Sequence, residues 1–172
     1  MICPSCGREN MNGVDECEDC LQNLSSLDGL LPRTKITKVL MEDPIARMKP
    51  REGIWVSARA PVREAVQKMT ENRVGCVFIG NQNQIEGLVT ERDILFKVLG
   101  KDQKLFGDPV SSIMTPKPII LDESDSLAYA LNRMSVAGFR HLPIHQEGRP
   151  LGIISVRDIL RHLSKLFPET AA

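Results

Sequence analysis

Two stretches carry the fold: GLVTERDIL, residues Gly87–Leu95, and GIISVRDIL, residues Gly152–Leu160. They lie 65 positions apart, and the agreement runs backwards without a gap, so that 56–95 aligns on 121–160. Ala65 falls on Ala130, Met69 on Met134, Ile79 on Ile144, Gly87 on Gly152 and Arg92–Leu95 on Arg157–Leu160, eight identities in 40 positions. Pairing at ordinary composition would give roughly two or three. Thr90 with Ser155, Val66 with Leu131 and Lys68 with Arg133 are conservative pairs. Self-similarity at a fixed period marks one supersecondary unit used twice, and two like units tend to bury a face against each other. The expected product is a pair of repeats about a pseudo-twofold axis, with related clefts on either side.

The second copy reads outward as strand, helix, strand, strand, helix. Val110–Met114 is a helical turn ending at Thr115-Pro116, and Ile119–Leu121 is a brief apolar strand. Ser124 or Asp125 caps the helix that follows. Leu127, Ala130, Leu131 and Met134 recur at helical spacing over Leu127–Ala137, and Gly138 ends it. Arg140–His145 and Leu151–Ser155 are strands around the Glu147–Gly148 turn, and Val156–Leu166 closes the unit as a helix. The first copy follows the same order, entering through Met48–Pro50 and a strand at Ile54–Val56.

Composition bounds the function. The chain has 172 residues, 42% of them apolar, enough for one medium domain or a small one plus a medium one. Apolar runs such as Cys76–Ile79 fall far short of the roughly 20 residues a membrane helix needs. The start, MICPSCG, has neither the basic nor the apolar segment of a signal peptide. With cysteines that read as metal ligands before disulfides, this leads us to expect a cytoplasmic protein. The formal net charge of zero hides a split: 1–24 carries Arg8 against Glu9, Asp15, Glu16, Glu18 and Asp19, a balance of −4, and the remainder is at +4.

Cys3, Cys6, Cys17 and Cys20 have the spacing C-x2-C-x10-C-x2-C. Each C-x2-C pair can turn its thiolates toward one ion, and two pairs complete a tetrahedral four-sulfur site. So short and polar a segment has no core of its own and needs a staple, for which metal is favoured over two disulfides. Gly7 stands where a tight knuckle often needs a positive φ. This part resembles a zinc ribbon, with CPSCG as its knuckle. An iron-binding rubredoxin usually repeats CPxCG in both halves and packs aromatics around the metal. The second knuckle here is CEDCL and 1–24 holds no aromatic residue, so zinc is favoured over iron. The acidic balance argues against nucleic acid, whose binding depends on Lys and Arg, and leaves a structural or protein-interaction role.

The expected organisation is a ribbon at 1–24, a linker at 25–33, repeats at 34–104 and 105–166, and a tail at 167–172. The leucine-rich segment Leu21–Pro32 should pack on a surface. Lys35–Met41 is a short amphipathic helix stopped by Asp43-Pro44.

Both copies place a hydroxyl (Thr90, Ser155) three residues before a carboxylate (Asp93, Asp158) at a strand-to-helix junction. A carboxylate there can accept from both hydroxyls of a ribose, and the helix N-terminus favours a phosphate nearby. The same spacing also reads as an N-cap with its capping box. Gly87 and Gly152 precede strands and allow close backbone approach. Arg92 and Arg157, beside the aspartates, can reach a phosphate or pair with surface carboxylates. Cys76 reads as a buried small hydrophobe, and His145 and His162 as surface or turn residues.

The β-α-β-β-α repeat, the Met114–Pro116 entry, the Arg140–Ile144 strand and two copies of G-h-h-[ST]-x-x-D resemble a tandem pair of cystathionine-β-synthase (CBS) domains, over about 34–166. The resemblance implies an α+β fold of the α/β type with pseudo-twofold symmetry. It implies that the motif of one repeat faces the middle strand of the other. Ser155 and Asp158 would then work with Val74, Gly75 and Cys76, while Thr90 and Asp93 would work with Phe139, Arg140 and His141, the base lying against Ile119, Leu121 and Phe139. It also implies a regulatory, non-enzymatic protein that senses AMP, ADP, ATP, S-adenosylmethionine or NAD(H), forms a homodimer through helices bearing Leu95, Phe96, Leu160 and Leu163, and signals to a protein partner. The alternatives are a dimerisation module without a small ligand, an iron protein, or a nucleic-acid binder.

Overall fold

A computed structural model describes residues 2–3, 6–11, 14–24, 35–82, 84–149 and 151–166. The expected linker and C-terminal tail lie outside these residues. The chain forms two compact units, one built from described residues of Met1–Pro50, Leu121–Leu142 and Ile154–Ala172, the other from those of Arg51–Ile120 and Pro143–Ile153.

In chain order the elements are α1 (Lys35–Glu42), a 3-10 turn (Ile45–Met48), β1 (Arg51–Glu52), β2 (Trp55–Val56), α2 (Val62–Asn72), β3 (Cys76–Asn81) and β4 (Gln84–Thr90). Helix α3 (Glu91–Asp93) runs on as a π-helix over Ile94–Leu99. Two 3-10 segments, β5 (Thr115–Pro116), β6 (Leu121–Asp122), α4 (Leu127–Ala137), β7 (His141–His145), β8 (Gly152–Ser155) and α5 (Val156–Ser164) complete it. One four-stranded sheet has the order β2-β3-β4-β5 and the other β1-β8-β7-β6. β2 runs parallel to β3, as a strand–helix–strand crossover requires, and β3 pairs antiparallel with β4.

The repeat is visible in what is buried. α2 buries Val62, Ala65 and Met69, and α4 buries Leu127, Ala130 and Met134, the same positions 65 residues on. The larger of them, Val62, Met69, Leu127 and Met134, each contribute about 1.5–3 kcal/mol by leaving water. In the second unit these residues of α2 join Val77, Ile79 and Val89 from the sheet and Ile94 and Val98 from the helix after it. Gly138 ends α4 in the left-handed region at φ 68, and its counterpart Arg73 ends α2 at φ 53.

Four expectations shift. The strand expected at Ile119–Leu121 begins only at Leu121, because β5 takes the entry residues Thr115–Pro116 onto β4. The cap of α4 is Ser126, whose Oγ accepts from the Tyr129 N–H at 3.1 Å; Asp125 accepts instead from Asp122 N–H. Gly87 lies inside β4, where a Cβ would stand 2.6 Å from the Met114 sulfur and 2.8 Å from the Thr115 carbonyl oxygen. It does not precede the strand, but its bareness does allow the close backbone approach of β5. Helix α5 is described as ending at Ser164 rather than Leu166. Among the described residues no helix is long and apolar enough to cross a membrane.

Candidate functional site

Cys3, Cys6, Cys17 and Cys20 bring their sulfurs within 4.8 Å of one another. All four are reduced, outside any disulfide. Two contacts cross between knuckles, Cys3 to Cys20 at 3.6 Å and Cys6 to Cys17 at 3.5 Å. A tetrahedral ion with metal–sulfur bonds of ~2.3 Å sets its sulfurs about 3.8 Å apart, so the geometry suits a metal ion and not a pair of disulfides.

The knuckles are copies of one another, displaced by 14 residues. Gly7 N–H donates to the Cys3 carbonyl and Cys3 N–H to that of Arg8; Leu21 N–H donates to the Cys17 carbonyl and Cys17 N–H to that of Gln22. The bridges Ile2 to Glu9 and Glu16 to Asn23 repeat the same displacement. Gly7 takes the expected positive φ, 76°, and Leu21 takes the equivalent place at φ 57°. Leu24 is buried against Cys3 and Cys17, with Val14 and Cys6 at the edge. Asn10, which the spacing of the cysteines did not single out, is buried between the knuckles. Its amide donates to the Arg8 carbonyl and to Cys17 Sγ, and its oxygen accepts from Glu18 N–H.

The thiols differ in acidity. At Cys17 burial opposes ionisation, but backbone N–H groups of Cys20 and Asp19 and the neighbouring thiols bring it down to about 6. At Cys6 the Arg8 backbone favours the thiolate, yet burial and the other three sulfurs push it up to about 12. Four adjacent thiols cannot all ionise without a compensating cation. Such a cluster is suited to exchanging protons for a metal ion.

The two hydroxyl–carboxylate pairs form full capping boxes. Thr90 Oγ1 and N–H both donate to Asp93 Oδ2, at 2.7 and 2.9 Å, and Asp93 N–H donates back to Oγ1 at 3.4 Å. Ser155 and Asp158 repeat the pattern at 2.6, 2.9 and 3.3 Å. The boxes differ at the second oxygen. Asp93 Oδ1 meets Lys97 Nζ at 2.7 Å, and that ammonium also donates to the Ile113 carbonyl. Asp158 Oδ1 meets Arg161 only at 3.4 Å.

Within each unit the motif sits beside the middle strand of its own repeat. Cys76 pairs with Thr90, and Glu91 N–H donates to the Gly75 carbonyl at 3.1 Å, next to half-buried Val74. Cys76 is buried, and burial, with the Asp93 carboxylate second, pushes its thiol up. In the other unit Val156 N–H donates to the Arg140 carbonyl, which sets Phe139–His141 against the start of Ser155–Asp158. Phe139 and His141 are half-buried, and Arg140 and Arg157 exposed. Leu121 is buried in β6 and Ile119 half-buried before it. Arg92 lies over the Phe96 ring at 5.8 Å. His145 is exposed, but His162 is not a plain surface residue: Nε2 lies 3.3 Å from Oδ2 of buried Asp43, whose Oδ1 accepts from Arg47 at 2.7 Å. His162 is the repeat counterpart of Lys97, so one position braces a different aspartate in each copy.

The CBS domain model matches residues 31–100 and 110–165. An uncharacterized 17.7 kDa protein of Acidianus ambivalens is 36% identical over 110 residues, 63% of this chain and 65% of its own. The chain spans less than two thirds of the length of the curated relatives it matches first. An uncharacterized conserved protein from Pyrococcus horikoshii superposes with a TM-score of 0.64 at 28% identity, over 76% of this chain and 98% of that one. A CBS domain protein from Pyrobaculum aerophilum, solved in complex with AMP, superposes with a TM-score of 0.60 at 25% identity, over 71% of this chain and 98% of that one. Repeat, sheets and paired motifs thus converge with the family match: the chain belongs to the CBS-domain family, as a tandem pair preceded by a four-cysteine cluster.

Proposed function

We propose that this protein is a non-enzymatic regulator that binds an adenosine nucleotide through its CBS pair and reports ligand state to a protein partner. The observation that carries the reading is the duplicated hydroxyl–carboxylate box at a strand-to-helix junction, in a chain similar to a protein solved with AMP. Each aspartate spends one oxygen on its own helix cap and turns the other toward a basic side chain. A ribose diol would compete for that second oxygen. Asp158 is the easier to recruit, because Arg161 is a long and exposed partner, whereas Lys97 holds Asp93 closely. The family arrangement would join Thr90 and Asp93 with Phe139, Arg140 and His141, and Ser155 and Asp158 with Val74, Gly75 and Cys76. The cationic first set favours phosphates.

The four cysteines would hold one zinc ion as a structural centre with no open position. A homodimer is supported by the helical face of the first repeat, where a groove of about 560 Å³ between α2 and 91–99 is flanked by exposed Leu95, Phe96 and Leu99.

Calorimetry with AMP, ADP, ATP, S-adenosylmethionine and NAD(H) tests the ligand. Removing one partner of a charge-assisted bond costs roughly 1.5–3 kcal/mol, so Asp93→Ala and Asp158→Ala should each weaken binding about ten- to a hundredfold at one cleft. Unchanged affinity in both variants overturns the site. Absence of binding by every adenosine compound leaves a dimerisation module.

A further inference from the structure

The four-cysteine knob and the second repeat share one compact unit, and its first knuckle faces a specific side chain. A Cβ at Gly7 would stand 3.7 Å from the Tyr129 hydroxyl oxygen and 3.8 Å from the ring carbon that bears it. Tyr129 is half-buried and is the single tyrosine of the chain. Both knuckles have exposed tips, Ile2 and Gly7 in the first and Cys20 and Leu21 in the second, and among these it is Gly7 that lies next to the Tyr129 phenol.

Tyr129 is also tied into the part of the repeat that carries the motif. Its N–H is the one capped by Ser126 at the first turn of α4. The adjacent Leu127 N–H donates to the Asp43 carbonyl, and Asp43 is the carboxylate held by His162 of α5. At the other end of α4, Phe139 N–H donates to the Met134 carbonyl, and the Arg140 carbonyl accepts from Val156 N–H at the head of α5, two residues before Asp158. From the knuckle to the motif aspartate the connection runs through packed helix and backbone hydrogen bonds inside one unit.

We infer that Tyr129 is the latch between the metal centre and the second repeat, so that metal occupancy of the knob braces α4 and sets the ligand affinity of the Ser155–Asp158 site. The inference rests on the zinc and nucleotide readings above. With metal bound, the first knuckle is a rigid surface for the phenol. Without it, the segment relies on its knuckle and Asn10 hydrogen bonds and a small core around Leu24, and the knuckle no longer keeps one shape. Couplings between sites of this kind are typically about 5- to 150-fold.

The test uses the full chain, purified with zinc and then stripped with a chelator under reducing conditions. Hydrogen exchange of 127–137 and 153–159 is followed in both forms, and AMP affinity is measured alongside. Zinc removal should lower protection of α4 by about fivefold or more and weaken AMP binding. In Tyr129→Ala, one equivalent of zinc should still bind, but its removal should leave α4 protection and AMP affinity unchanged. Tyr129→Phe keeps the ring and reports whether the hydroxyl is needed. Equal protection of α4 with and without zinc overturns the inference, and so does a chain that takes up no zinc. If AMP binds neither form, the nucleotide reading fails, while the exchange measurement still decides the latch.

Discussion

The knuckles differ at one backbone position, and that difference can be weighed. Gly7 and Leu21 occupy the same left-handed place, at φ 76° and φ 57°. An L side chain there costs roughly 1–2 kcal/mol, and replacing it with glycine gives back roughly 0.5–1 kcal/mol in unfolded-chain entropy. Leu21 is 72% exposed, so its removal forfeits little burial. Leu21→Gly should therefore stabilise the knob by about 0.5–1 kcal/mol. Because folding of the segment and metal binding are coupled, this appears as zinc affinity about two- to fivefold higher. The reverse change, Gly7→Leu, meets no clash at Cβ, where Tyr129 stands at 3.7 Å, and should weaken zinc by a similar factor through backbone strain. Competition with a chromophoric chelator reads both variants. If Leu21→Gly binds zinc more weakly than the parent, strain at the second knuckle is not what the left-handed angle represents, and Leu21 makes a contact that holds the segment.

Cys17→Ser should abolish stoichiometric zinc and expose 2–24 to rapid hydrogen exchange, while the repeats keep a cooperative urea transition, since the core around Val77 and Ile79 does not include the knob. Asn10→Ala removes the donor to Cys17 Sγ and the acceptor for Glu18 N–H; chelator competition should show zinc affinity about 10- to 100-fold lower. Zinc uptake should weaken as pH falls. Below about 6, where Cys17 regains its proton, one more proton must be displaced per metal, and a pH series of affinities should steepen there. Without ligand, Asp93→Ala should cost more stability than Asp158→Ala, because both lose a capping box of about 0.5–2 kcal/mol but the ion pair lost with Asp93 is at 2.7 Å and that lost with Asp158 at 3.4 Å, to a more exposed partner; urea midpoints decide it.

Much of this protein was legible along the chain because the interactions concerned are local. The Cys spacing, the helical period of Val62, Ala65 and Met69, and a hydroxyl three residues before a carboxylate are satisfied within a turn or a knuckle. They recur wherever the same residues do, so the repeat, the two helices and the four-sulfur cluster followed from sequence. The capping boxes were equally local, which is why a spacing read as a nucleotide motif also reads as a helix cap.

Tertiary packing decided the rest. Arg92–Leu95 and Arg157–Leu160 are identical, yet a π-helix follows the first from Ile94 and an α-helix continues through the second. Lys97 reaches both Asp93 and the Ile113 carbonyl, while its counterpart His162 turns to Asp43, 119 residues away. The facing of Gly7 on Tyr129 likewise joins segments with no sequence relation. Contacts such as these depend on where distant strands and helices bring their backbones together. No pattern within a window of neighbours encodes them; the repeat shows which positions correspond, and the folded chain decides which partners each one meets.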